Sequence, residues 1–378
     1  MKVYKRAILP IGFKANAIAS GIKKSGKLDL GIFYSNIPAK AACKFTANKI
    51  QAAHIKIDKK HLGLNKGYQA LIVNSGNANC FTGRQGERDA EEIAKTLAKV
   101  LAIKKERVLI ASTGIIGRRL PLAKIKEAIP KLVKGLSGNG IDKAKVAIMT
   151  TDKFAKEMTA KFRVGKRVIT LCGIAKGAGM IAPNLATMLV FIMTDANITQ
   201  GALNKALKIA TDDSFNCITV DGCMSTNDTV CLLANGASRN NLIGKGKYFK
   251  FFLKALHIVC LELAKMIIND AEGATKFIQI KVDKAGSVTE AKKVALSIAN
   301  SNLFKAAIYG QNPNFGRIIA AVGSSGIDVK EKDIKINVSP LTKKDINVKV
   351  LLNRGNSHAV VYTSDLTPQY IKINAEYN

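Results

Sequence analysis

Tryptophan is absent from this sequence, aromatic residues make up 6% of it, and only 8 of its 378 residues are proline. So few prolines, beside a 47% hydrophobic and 23% charged content, exclude a collagen-like fibre, a low-complexity chain and a disordered one. The cysteines (Cys43, Cys80, Cys172, Cys217, Cys223, Cys231 and Cys260) are odd in number and form no C-x-x-C pair. Neither a disulfide framework nor a thiolate zinc site is expected, and the thiols read as reduced in a cytoplasmic protein. Long apolar runs are missing as well. MLVFIM at 188–193 falls far short of the roughly 20 residues that span a bilayer, so no membrane partner is expected. The early basic residues lead into a charged-polar stretch without a small-residue cleavage site, which argues against a signal peptide. His54, His61, His257 and His358 sit in no metal-type spacing and no G-x-S-x-G elbow is present. A metal site and a Ser-His-Asp hydrolase are therefore not expected.

Acid is the other scarce commodity, with 27 Asp and Glu against 59 Lys and Arg, a net charge of +32. Eleven of the cations are arginine and 48 are lysine, spread from Lys2 to Lys372 without a basic block. Nucleic-acid readers concentrate charge on one face and use arginine forks and stacking aromatics. An even spread of lysine reads instead as solvated surface, and no nucleic-acid partner is expected. At about 100–200 residues per domain the length allows two or three domains. No Pro/Gly/Ser-rich linker divides the chain, so one compact catalytic unit over 1–378 is expected.

Glycines at 12, 21, 26 and 31 predict short strands and turns over 3–34. Asp89 followed by Glu92 predicts the start of a helix with Ile93, Leu97, Val100 and Leu101 on its apolar side. A second helix is expected from about Leu122 and is interrupted at Pro130. A third, about Tyr248 to Ile268, carries Phe252, Leu256, Leu263 and Ile267 on one side. Apolar runs predict strands at 70–73, 108–111, 168–172, 188–193, 229–233, 278–282, 334–338 and 348–352. Their irregular alternation with helices, and the lack of any repeat, predict a mixed α/β (α+β) fold with buried sheets and exclude a (β/α)₈ barrel.

The most unusual stretch is KGAGMIAPNLATML, 176–189. Its spacing fits neither G-x-G-x-x-G nor the P-loop, because Lys176 precedes the glycines. A glycine segment, a Pro183-Asn184 turn, Thr187 and then an apolar run form an order suited to a nucleophile held at the start of a strand. A threonine hydroxyl needs a base beside it, and its own α-amine, with a pKa near 8, can serve once it is a chain end. That chemistry requires cleavage of the Ala186–Thr187 bond. The other reading is a threonine that merely opens a strand, which spacing alone favours.

Six motifs bear on that choice: NSGNANCFTG (74–83), STGIIGRRLP (112–121), the 176–189 stretch, SFNCITVDGCMSTNDT (214–229), AEGATKF (271–277) and NPNFGRIIAAVG (312–323). With the opening GFKANAIASGIKKSGKLDLG and the closing YIKINAEYN, they resemble the glutamate N-acetyltransferase/ornithine acetyltransferase family of arginine biosynthesis over essentially the whole chain. With a start within the family pattern, no transit peptide is expected. The resemblance implies an N-terminal-nucleophile enzyme with an α-β-β-α sandwich and a second α/β region, cut before Thr187 into an α chain, 1–186, and a β chain, 187–378, that assemble as α2β2. It implies Thr187 as nucleophile, Thr113 and Gly114 as the oxyanion hole, and Thr150, Lys176, Thr187, Glu272 and Asn374 as substrate-binding residues. Acetyl would pass from N2-acetyl-L-ornithine to L-glutamate with no cofactor, acetyl-CoA being a possible second donor. A related amidohydrolase or aminopeptidase, in which water replaces glutamate, is the alternative. The chain departs from the family pattern at Cys223, at Gln311-Asn312, and in lacking a Ser or Thr after Asn378, so that one substrate contact is expected to be missing or replaced.

Overall fold

The computed structural model describes residues 1–64, 67–182 and 188–376; Thr187 and the Ala186–Thr187 bond lie outside the described residues. The chain forms two compact units that interleave in sequence. One takes Met1–Gly177, Asn184–Asp213 and Met224–Leu263, the other Ala178–Pro183, Ser214–Cys223 and Ala264–Asn378. Because each unit draws on three stretches, no linker composition marks the division.

The first unit holds strands β1 (Lys2–Tyr4), β2 (Phe13–Ile18), β3 (Leu30–Phe45), β4 (Tyr68–Asn77), β5 (Val108–Ile115), β6 (Lys156–Val164), β7 (Arg167–Lys176), β8 (Leu189–Thr194) and β9 (Thr229–Ala234). Its helices are α1 (Ala53–Gly63), α2 (Gly83–Leu101), α3 (Leu122–Lys134), α4 (Ile141–Ala147), α5 (Gln200–Asp212) and α6 (Lys247–Asn269), the last running on into the second unit. The strand order is β1-β6-β7-β8-β9-β3-β4-β5, with β2 also on β3. Strand β3 belongs to two sheets. Leu30–Tyr34 pairs with β2 and β4, and Lys40–Phe45 pairs with β9 after a register shift between Tyr34 and Ala39.

Side chains alternate across a strand, and the apolar runs divide accordingly. On β4 and β5, Leu71, Val73, Leu109 and Ala111 join Phe33, Leu189, Phe191, Met193 and Leu233 in an inner layer between the sheets. Ala70, Ile72, Val108 and Ile110 turn the other way, onto Ala53 and Ile57 of α1, Ile93 and Leu97 of α2 and Ile125 and Ile129 of α3. Phe33 and Phe191 meet across the inner layer with ring centroids 5.4 Å apart. Beyond the second sheet lies α6. Gly173 of β7 admits it closely, since a Cβ there would lie 2.7 Å from Val259 and 2.9 Å from Leu263. Strands buried on both faces read as continuous apolar runs, and the layering is α-β-β-α.

Two helix boundaries differ from the sequence expectation. Helix α2 starts at Gly83, so Asp89 is an interior residue that accepts from Gln85 Nε2 at 2.8 Å. The turn before it seats the helix: Asn79 Nδ2 donates to the Gly86 carbonyl at 2.9 Å. Val100 is exposed, and the helix ends at the left-handed Ala102, φ 53°. Helix α3 runs through Pro130 to Lys134. Buried Ile129 and Leu132 keep it docked, and the proline ring sits on the exposed side.

The second unit contains β10 (Phe277–Ala285), α7 (Val288–Ala299), α8 (Asn302–Tyr309), α9 (Gly316–Gly323), β11 (Lys335–Val338), β12 (Asp345–Leu351), β13 (Ser357–Ser364) and α10 (Pro368–Glu376). The sheet runs β11-β12-β10-β13, with β10 parallel to β12 and antiparallel to β13. Ile278, Ile280 and Val282 pack on Ala291, Val294, Ala295 and Ile298 of α7. Ser287 caps that helix, accepting from Glu290 N at 3.1 Å.

His54 on α1 is fully buried, with Nε2 3.2 Å from Thr229 Oγ1, and burial drives its pKa down to about 3. Between that value and the ordinary 6.5 the unfolded chain binds a proton that the folded chain refuses. Stability therefore rises with pH across this window and is lost on acidification, by up to about 1.4 kcal/mol per pH unit. Denaturant titrations of the wild type and His54→Gln between pH 4 and 7 should show a shallower pH slope in the variant.

Candidate active site

Strand β5 continues past Ala111 to Ile115, so Thr113 and Gly114 are strand residues and not part of a turn after it. They pair in parallel with Ser75 and Gly76 of β4. Gly114 has φ +134°, and a Cβ there would lie 2.3 Å from the Gly76 carbonyl carbon and 2.5 Å from Asn77 N. Only glycine permits that approach. Thr113 beside it is buried.

Asparagines secure the ends of these two strands. Asn74 Oδ1 accepts from Ser112 Oγ at 2.7 Å, and its Nδ2 donates to the Asn77 carbonyl at 2.8 Å. Asn77 Nδ2 donates to the Arg119 carbonyl at 3.0 Å. Asn227 Nδ2 reaches the Ala78 and Ser112 carbonyls at 2.6 and 2.7 Å. An asparagine offers an acceptor and two donors on a short stem, which suits strand ends whose main-chain groups have outrun the ladder.

At the end of β7, buried Lys176 has its Nζ 3.5 Å from Thr150 Oγ1. The structure thus brings together these two residues singled out from sequence. It adds two that sequence reasoning missed, Asp152 and Lys156, whose fully buried side chains form an ion pair at 2.6 Å. Asp152 also accepts from the Gly177 N–H at 2.7 Å and the Thr150 N–H at 2.9 Å. Burial pushes the Asp152 carboxyl up, but Lys156, Lys176 and these donors outweigh it and hold the carboxyl below its ordinary value. Lys23, whose Nζ donates to the Met149 carbonyl at 2.8 Å, is held below its ordinary pKa by burial, against the pull of Asp29 and Asp152.

Asp228 was also missed, though it lies within the 214–229 motif. It is fully buried, and its Oδ1 accepts from the N–H of Met188, the residue after Thr187, at 2.7 Å. Burial pushes this carboxyl well above the ordinary range, against the Met188 N–H and the charge of Lys176. Its Oδ2 has no partner among the described residues.

In the second unit, Glu272 and Asn374 meet. Asn374 Nδ2 on α10 donates to Glu272 Oε2 at 2.9 Å and to the Tyr370 carbonyl at 3.0 Å. Glu272 follows α6 in a loop; its N–H donates to the Ala178 carbonyl at 3.0 Å. Its carboxylate lies against Gly179, where a Cβ would come within 2.2 Å of Oε2. Asp221 is the fourth residue missed. Both aspartates lie within the 214–229 motif, but most of their partners are main-chain N–H groups, those of Met180, Ile181 and Cys223 for Asp221 and that of Met188 for Asp228. Among the described residues no group of three or more His, Cys, Asp or Glu could hold a metal ion. No helix there is long and apolar enough to cross a membrane.

Gly114→Ala puts a methyl group into the β4 backbone at a φ that side chains rarely adopt, a strain of about 1–3 kcal/mol. The variant should unfold at a lower denaturant midpoint and lose most of its activity, whereas Gly117→Ala, with no atom within 4 Å of the added carbon, should pay only for its positive φ.

The ArgJ family model matches residues 14–378. The chain is 45% identical to arginine biosynthesis bifunctional protein ArgJ 1 of Clostridium acetobutylicum, over 97% of this chain and 95% of that protein. Against the ArgJ bifunctional protein of Geobacter sulfurreducens it is 43% identical, over 97% and 98% of the two chains. Among solved structures, the ornithine acetyltransferase of Mycobacterium tuberculosis complexed with ornithine is 34% identical, covering 49% of this chain and 99% of that one with a TM-score of 0.45. A match that runs unbroken through both interleaved units, at such identity to full-length relatives, leaves one assignment: this chain belongs to the ArgJ family.

Proposed function

We propose that this enzyme carries acetyl from N2-acetyl-L-ornithine to L-glutamate through an acetyl ester on Thr187. The chain is an acyltransferase of arginine biosynthesis, and the family match over 14–378 is the observation that carries the reading. In it, Thr187 Oγ attacks the Ala186 carbonyl, the resulting ester is hydrolysed, and fragments 1–186 and 187–378 stay assembled as an αβ pair that dimerises. The freed α-amine then takes the hydroxyl proton as Oγ attacks the acetyl carbonyl, and returns it to the leaving ornithine amine. Glutamate accepts the acetyl group in the second half-reaction. No prosthetic group enters these steps; acetyl-CoA is a second donor within the same scheme.

The geometry supports parts of this scheme. Acyl transfer passes through a tetrahedral oxyanion, and the Thr113–Gly114 stretch is held by close backbone approach and by asparagines on either side. The Lys176 ammonium group, with the Thr150 hydroxyl beside it, suits a substrate carboxylate. The carboxylate of Glu272, with Asn374 beside it, suits a substrate ammonium group.

Intact mass under denaturing conditions should give two pieces, the second beginning at Thr187, while Thr187→Ala remains one inactive chain and Thr187→Ser is cut slowly. A single full-length chain in an active preparation overturns the scheme. Acetyl should be recovered on glutamate; release as free acetate would favour an amidohydrolase. In processed enzyme, Thr113→Val should lower kcat by about 100-fold with little change in KM, as expected for a lost oxyanion donor.

A further inference from the structure

Asp221 is absent from the scheme above, yet four donors converge on it. Its Oδ1 accepts from the N–H groups of Ile181 and Cys223, each at 3.0 Å. Its Oδ2 accepts from the Met180 N–H at 2.6 Å and from Tyr370 Oη at 3.1 Å. A carboxylate has about four acceptor sites, and here each is taken. Met180 is held at φ 55°, the left-handed region that a side chain seldom adopts without support. Next to Asp221, the Val220 N–H donates to the Ile181 carbonyl at 2.8 Å, and buried Lys305 donates from Nζ to the Val220 carbonyl. Burial pulls the Lys305 ammonium down to about 8, against the attraction of Asp221 and Asp365.

These bonds close a ring. From the Ala178 carbonyl it passes to the Glu272 N–H, from the Glu272 carboxylate to Asn374, and up one turn of α10 to Tyr370. From the Tyr370 hydroxyl it reaches Asp221, and from Asp221 it returns to the Met180 N–H, two residues from its start. We propose that Asp221 is a positioning residue for substrate binding, holding α10 and the 178–181 backbone in one register so that Glu272 and Asn374 keep the spacing that receives the substrate's ammonium end. This rests on the reading of Glu272 and Asn374 as substrate-binding residues. Asp221 itself touches no substrate in this account. Its effect reaches the substrate through Tyr370 and Asn374, and so falls on affinity more than on the chemical step.

The test uses the processed enzyme. Asp221→Asn should raise the KM for N2-acetyl-L-ornithine about tenfold, the order of one lost charge-assisted hydrogen bond, with kcat changed less than about threefold. Tyr370→Phe removes one hydroxyl and should raise KM in the same sense. The double variant should be no worse than Asp221→Asn alone, because both break the same link. Unchanged KM in the single variants, a fall confined to kcat, or additive effects in the double variant would overturn the proposal. If Asp221→Asn is not folded or not cut, Tyr370→Phe decides alone, and an unchanged KM there rejects the role. Glu272→Gln and Asn374→Ala run in parallel. If they raise KM while Asp221→Asn and Tyr370→Phe do not, only the role of Asp221 fails; if they leave KM unchanged, the substrate-site reading fails and this proposal with it.

Discussion

One strand that serves two sheets is the constraint on which the larger unit depends. The first part of β3 pairs with β2 and β4 and its last part with β9, so the chain crosses between sheets without leaving extended conformation. The register shift between Tyr34 and Ala39 is where that crossing is taken up, as bulges bend a strand and increase its twist. Sheets joined in this way share an interior, and Phe33 on one side and Phe191 on the other close it. Parallel pairs β4–β5 and β8–β9 carry the candidate chemistry at their ends. Thr113 and Gly114 lie in the last three residues of β5, and β8 begins two residues after Thr187.

The residues around these strand ends are polar and buried, which is costly unless each group is paired. Asparagine side chains answer most of that demand by bonding to carbonyls. The Asp152–Lys156 pair is the harder case, because two desolvated charges are stable only with further donors. The Gly177 and Thr150 N–H groups supply them, and the charge of Lys176 adds its attraction. The site is thus rigid through satisfied hydrogen bonds as much as through apolar packing.

Strands with both faces buried were legible in the sequence because burial writes a continuous apolar run, as at Leu71–Val73 and Val108–Ala111. Strand β6, KEMTAKFRV, was not, because its lysines include Lys156, whose charge is buried by a partner four residues away that no hydropathy pattern reveals. The start of α2 was misplaced because the signal lies in Asn79 and Gly86, a loop contact, and not in the acidic pair at 89 and 92. At the site, the family resemblance, and not residue type, pointed to Thr113, Gly114, Thr150, Lys176, Glu272 and Asn374, and the pairs Thr150–Lys176 and Glu272–Asn374 meet. Asp152, Asp221 and Asp228 were invisible as actors because each works on main-chain N–H groups, which carry no sequence signature.

The interleaving of the two units changes what stability means for this enzyme. Residues on both sides of the bond between 186 and 187 contribute to the core of the larger unit, Phe33 from before it and Phe191 from after it, so a cut there would leave that core whole in neither product. Before such a cut, unfolding and refolding concern one chain and do not depend on concentration. After it, refolding would be a bimolecular association, sensitive to dilution once the two pieces had come apart. The lifetime of a cut protein would then be set by how slowly it opens, a rate and not an equilibrium.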